Sequence, residues 1–157
     1  MLKDIIAILV LLIICLAAGA IGSLFTIQSI PTWYASAAKP VFTPPNWLFG
    51  PAWTLLYILM AIAAFLVWKK GFDKPAVRFA LLIFGAQLAL NTIWTPLFFG
   101  LHQLLLAFIE IVVLWLFILW TMVKFFPISS AAGWLLVPYI LWVSFASVLN
   151  FAFWIMN

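Results

Sequence analysis

Side chains capable of acid–base, nucleophilic or metal chemistry are few and scattered in this chain. His102 is the single histidine and Cys15 the single cysteine, while Asp4, Asp73 and Glu110 are the only acidic residues. A zinc-type site needs three or four closely placed ligands, and no cluster of that kind exists. Cys15 on its own excludes an intrachain disulfide and a thiolate cluster. No glycine-rich phosphate loop is present. What stands out instead is ten tryptophans together with amides embedded in apolar runs. Gln87, Asn91 and Trp94 lie at i, i+4 and i+7, and Pro138, Trp142, Ala146 and Asn150 repeat every fourth residue, so each set shares one helix face. Residues of these types hydrogen-bond and stack; they suit binding better than covalent chemistry.

The elements that carry them follow from composition. Of 157 residues, 69% are hydrophobic and 6% charged, against about 25% charged in a soluble domain. Seven Lys/Arg and three Asp/Glu cannot coat a water-facing surface, so the coat is lipid. The net charge of +4 does not point to nucleic acid, because the basic residues are few and flank apolar runs. A spanning helix needs roughly 20 apolar residues. Five segments meet this length: Ile5–Ile27, Trp47–Trp68, Phe79–Phe99, Leu104–Val123 and Ala131–Met156. Alternating strands are absent, and lipid leaves the helix as the way to satisfy the backbone internally. The expectation is an all-α membrane protein, a five-helix bundle forming a single domain over residues 1–157. Lys3, the run Ile5–Leu16 and Ala18-Gly19-Ala20 imitate a cleavable signal peptide, but the apolar run continues to a full spanning length.

Basic residues orient the bundle. Lys3, Lys69, Lys70, Lys74, Arg78 and Lys124 fall on one side of a five-span topology and Lys39 on the other. In a cell membrane the positive-inside rule makes the first side, with the N-terminus, cytoplasmic. Asp4 and Asp73 share that side, opposite the His102 turn, so a Ser-His-Asp arrangement is not supportable; His102 reads as a solvated turn residue. Pro51 falls in a first helical turn, where a missing N–H is tolerated. Pro96 and Pro138 lie deeper and free the carbonyls of Thr92 and Trp134, which bends those helices.

Depth brings the polar residues together. At 1.5 Å per residue, Trp53, Asn91, Trp94, Glu110 and Asn150 lie roughly 7–12 Å below one interface. Asn91 and Glu110 stand at similar depth on a tight helical hairpin and could pair. Two readings of the layer stand: a structural hydrogen-bond belt between helices, or the polar part of a ligand pocket. Trp47 and Trp68, at the two ends of one span, read as interfacial anchors. Trp53, Trp94 and Trp142 sit deeper, and a buried indole N–H seeks a partner, so inward positions are favoured. Aromatic walls with a few polar groups suit a flat, largely apolar ligand.

These residues carry a resemblance. Trp33-Tyr34, Lys39-Pro40, Pro44-Pro45, Gly50-Pro51-x-Trp53 and Tyr57 resemble the loop and second-helix signature of the TspO/MBR family (translocator protein / tryptophan-rich sensory protein). Gln87-Leu88-Ala89-Leu90-Asn91-x-x-Trp94 with Phe98-Phe99-Gly100 is similar to its third-helix signature. Pro138-Tyr139-x-x-Trp142-x-x-Phe145-Ala146 with Leu149-Asn150 is similar to its fifth. The match runs in order along nearly the whole chain.

The resemblance implies a pocket near the first loop that binds tetrapyrroles such as protoporphyrin IX, using Tyr34, Trp53, Tyr57, Asn91, Trp94, Trp142 and Ala146. It implies a porphyrin as ligand or substrate, with no resident cofactor and no metal. Some bacterial members are associated with light-driven porphyrin breakdown, for which Trp53 and Trp142 would be the catalytic residues. Beside a receptor or carrier and this enzyme, a third reading stands: a regulatory or structural membrane partner without a small-molecule role of its own. The resemblance also implies homodimers through the third span, where Gly85-x-x-x-Ala89 is a small-xxx-small pair that serves packing within the bundle equally well. One departure bears on sterols. Animal members carry an aromatic residue followed by a basic one near the C-terminus, whereas here Phe151 stands in the aromatic position and Ala152 to Asn157 contain no Lys or Arg.

Overall fold

A computed structural model describes all residues, Met1–Asn157. It contains helices and no strands: α1 (Leu2–Ser29), α2 (Trp33–Ser36), α3 (Asn46–Trp68), α4 (Pro75–Thr95), α5 (Leu104–Ile128), α6 (Ser130–Leu135) and α7 (Val137–Met156). With α4 extended by a π-helical turn over Pro96–Gly100, and α6 and α7 taken together, five helical segments are long and apolar enough to cross a membrane. The all-α five-span expectation holds.

Several boundaries differ from the sequence reading for identifiable reasons. Helix α1 begins at Leu2 and α4 at Pro75, because lysine and arginine heads reach water from a helix end without ending the helix. The expected link at residues 124–130 shrinks to Ser129, which caps α6 by accepting a hydrogen bond from the Ala132 N–H at 3.4 Å. Pro127 lies in the last turn of α5 and does not stop it. Pro96 cannot answer the Thr92 carbonyl, and the chain widens there, with the Leu101 N–H bonding to the Pro96 carbonyl at 2.8 Å. Pro138 follows a break at Leu136 that separates α6 from α7. At the basic end, the turn joining α3 to α4 passes through Gly71 at φ +114°, a conformation open to glycine and strained for other residues.

The helices close a ring in the order α1, α3, α6–α7, α5, α4 and back to α1. Around it, α3 packs firmly on α6 and barely touches α7. The core near the basic end is dense with small side chains: Ala61, Ala63, Ala64 and Val67 of α3 and Ala132 of α6 are fully buried beside Phe125 of α5. At the other end α3 and α7 separate, and the space between them is the cavity described next.

Candidate ligand-binding site

The cavity occupies about 590 Å³, within the range of small-molecule pockets. Aromatic residues of four elements make its walls: Tyr34 of α2, Phe49 and Trp53 of α3, Trp94 of α4, and Trp142 and Phe145 of α7. Large rings on α3 and α7 are what keep those helices apart. Phe49 meets Trp142 edge-on with ring centroids 6.3 Å apart, Trp53 stacks on Tyr57 at 5.6 Å, and Trp142 tilts against Phe145 at 5.9 Å. No charged side chain lines the space. Its wall includes Leu16, Ala20 and Ile27 of α1 and Trp47, Gly50 and Thr54 of α3. Several of these face the bilayer, so the cavity opens sideways towards lipid as well as towards the α2 loop.

A buried polar network forms its floor. The Tyr57 hydroxyl donates to Asn91 Oδ1 at 2.6 Å, Asn91 Nδ2 donates to the Tyr139 hydroxyl at 2.9 Å, and Tyr139 donates to Gln87 Oε1 at 2.8 Å. Each group is satisfied in one direction, and buried groups so paired are rigid. Trp94 is anchored separately: its indole N–H donates to Asn150 Oδ1 at 3.0 Å, and Asn150 Nδ2 donates to the Leu104 carbonyl at 2.9 Å. Trp115, outside the cavity, donates to Ser144 Oγ at 2.8 Å. The indole N–H groups of Trp53 and Trp142 find no partner within the protein.

The mouth is built by the loop around α2. Tyr34 is 2% exposed and stacks on Phe153 at 5.4 Å, with Lys39 Nζ 4.9 Å from its ring centre. Its hydroxyl has no hydrogen-bond partner, and burial pushes it up to about 12. The Asn157 side chain ties this loop down from the end of α7: its oxygen accepts from the Ala38 N–H at 2.9 Å and its amide donates to the Ala38 carbonyl at 3.0 Å. His102 is exposed, as a turn residue, but it adopts φ 54° and stacks on Trp33 at 4.3 Å.

Of the residues singled out from sequence, Tyr34, Trp53, Tyr57, Trp94, Trp142 and Ala146 line the cavity, and so does Asn150. Asn91 stands behind Tyr57 and supports the floor without forming the wall. The pairing of Asn91 with Glu110 does not occur, since Tyr57 and Tyr139 take both ends of the amide. Both Glu110 oxygens are buried without a partner. Sequence reasoning missed the contribution of α1. Gly19 lets the Tyr57 ring lie where a side chain would be: a Cβ there would come within 2.5 Å of it. Gly85 and Ala89 face outward on α4, and nothing lies within 4 Å of a Cβ built on Gly85.

Fold and site together define an integral membrane protein organised around an internal aromatic pocket. The chain belongs to the TspO/MBR family, whose sequence pattern matches residues 11–155. It is 48% identical over 142 residues to the tryptophan-rich protein TspO of Archaeoglobus fulgidus, covering 90% of this chain and 91% of that protein. It is 41% identical over 135 residues to the tryptophan-rich sensory protein of Cereibacter sphaeroides, covering 86% and 83% of the two chains. With the human translocator protein it shares 38% identity over 136 residues, covering 85% and 80%.

Proposed function

We propose that this protein is a membrane receptor or carrier for flat, largely apolar ligands, with tetrapyrroles such as protoporphyrin IX as the ligand class. The observation that supports this most is the uncharged cavity of about 590 Å³ walled by Trp53, Trp142, Phe49 and Phe145. A rigid macrocycle suits facing aromatic walls, and acidic substituents on it would leave through the mouth beside Lys39. The free indole N–H groups and the Tyr34 hydroxyl favour a ligand with hydrogen-bond acceptors near its rim. Titration of purified protein with protoporphyrin IX in the dark, followed by tryptophan quenching, tests the reading; saturable quenching is expected, and its absence overturns it.

A second reading has its own observation: both Trp53 and Trp142 face the cavity. In light, dioxygen would add across a bridging C=C bond of the porphyrin and cleave it to two carbonyls that keep both oxygen atoms. An indole, more readily oxidised than a phenyl ring, would lend an electron to that step and be restored. On this reading the pair would be catalytic in light-driven porphyrin breakdown. Aromatic contacts contribute about 0.5–1.5 kcal/mol beyond area burial, so Trp53→Phe and Trp142→Phe should weaken dark affinity by about tenfold at most. If the enzyme reading holds, light-driven loss of porphyrin absorbance falls far more in both variants. Equal loss in variants and wild type leaves a binding protein that holds a photosensitiser. Small residues Gly85 and Ala89 on the outer face of α4 allow a homodimer through that helix, as an alternative to lipid along the same face. The basic end, with the N-terminus, faces the cytoplasm if the protein resides in the cell membrane.

A further inference from the structure

A second binding surface lies at the basic end, away from the cavity. The protein has one ion pair, Lys69 to Asp4 at 3.7 Å, so Arg78 and Lys124 have no carboxylate partner. They stand at the start of α4 and near the end of α5, antiparallel neighbours whose seam runs along the outside of the bundle. Beside Lys124 is an aromatic step. Lys124 Nζ lies 5.7 Å from the Phe79 ring centre, Phe79 meets Trp120 edge-on at 6.0 Å, and Trp120 meets Phe117 at 5.6 Å. Phe79 and Trp120 are 47% and 42% exposed, and Leu82 and Leu116 continue the seam at 70% and 54%. Leu116, Trp120 and Lys124 recur every fourth residue of α5, so the backbone at Trp120 lies about 6 Å deeper than at Lys124, and that at Leu116 about 6 Å deeper again.

We propose that this seam binds an anionic glycerophospholipid. Its phosphate would sit between the Lys124 ammonium and the Arg78 guanidinium, its ester region against Trp120, and an acyl chain along Leu82 and Leu116. The order of chemistries down the seam is charge, amphipathic ring, aliphatic, which is the order down a lipid. Basic clusters at the ends of spanning helices attract anionic headgroups, and here the ammonium is held over a ring face that limits its excursion into water. A zwitterionic headgroup would find no carboxylate here: Asp73, the acidic residue nearest in sequence, turns back over Gly71, its Oδ1 2.9 Å from where a Gly71 Cβ would stand.

Native mass spectrometry of the purified protein in detergent, with dioleoyl phosphatidylglycerol or dioleoyl phosphatidylcholine added, tests the proposal. The wild type should retain one phosphatidylglycerol per chain roughly tenfold more tightly than phosphatidylcholine. An R78Q/K124Q double variant should lose this preference, while K3Q/K70Q, which removes the same charge from the same end, should keep it. Glycerol 3-phosphate should not compete, because it lacks the acyl chain. Unchanged helicity and melting temperature would show that the variants fold. The proposal fails if both double variants lose the preference equally, which means diffuse attraction alone. It fails too if glycerol 3-phosphate displaces the lipid, or if the lipid is retained only by a dimer, which would make the seam an interface between copies.

Discussion

The two halves of the bundle use the same helices to opposite ends. Near the basic end, α3 buries Ala61, Ala63, Ala64 and Val67 completely between α1, α4 and α6, and small side chains let the helices pack closely. Towards the other end, the same α3 presents Phe49 and Trp53 to Trp142 and Phe145 of α7, and the helices stand apart around a cavity. Lipid tails are as apolar as leucine, so helix association in a membrane rests on packing and interhelical hydrogen bonds. One half meets that demand with small residues. The other forgoes close packing, and the floor of Tyr57, Asn91, Tyr139 and Gln87 carries the connection across the midplane. A cavity between α3 and α7 is therefore sustained by a tight seal beneath it.

The largest effect expected from breaking this contrast is overpacking of the closed half. Ala64→Phe forces a ring into a fully buried alanine site and should cost about 3 kcal/mol, read as a lower melting temperature in detergent. Gly50→Ala is its counterpart in the open half, where nothing lies within 4 Å of the added Cβ; the melting temperature should not fall, and helix propensity should raise it slightly. Next comes the floor. Asn91→Leu leaves the Tyr57 hydroxyl without its acceptor and removes a donor from Tyr139, and should cost about 2 kcal/mol. Dark quenching by protoporphyrin IX should weaken with it, because Tyr57 lines the cavity. Unchanged melting and unchanged quenching together would show that the floor supports neither fold nor pocket.

The fold was legible because lipid reduces the choices: runs of roughly 20 apolar residues can only be spanning helices. Helix α2 was not, since four residues are too few to show a period. The candidate site was legible on α3, α4 and α7, where tryptophans, tyrosines and amides stand out against aliphatic neighbours. It was invisible on α1, where Gly19, Gly22 and Thr26 contribute by being small or by turning a hydroxyl inward to the Gly22 carbonyl. Depth alone placed Asn91 beside Glu110, yet depth says nothing about azimuth. The tyrosines at Tyr57 and Tyr139 held the competing claim on the amide.

That competing claim reverses the sign of the smallest effect. Had Glu110 paired with Asn91, Glu110→Leu would orphan the amide and lower stability by about 1–3 kcal/mol. With the amide fully engaged elsewhere, the variant instead removes two buried oxygens that have no partner, and nothing is left unsatisfied by their loss. A buried polar group without a hydrogen bond costs free energy that an aliphatic side chain of similar size does not. Glu110→Leu should therefore stabilise the protein by about 1 kcal/mol, and Glu110→Gln, which keeps a polar group in the same place, should change little. Thermal melting of the three proteins in one detergent, without added ligand, reads the difference. A lower melting temperature for the leucine variant would mean that an internal water satisfies the buried Glu110 carboxyl, whose oxygens no other side chain reaches.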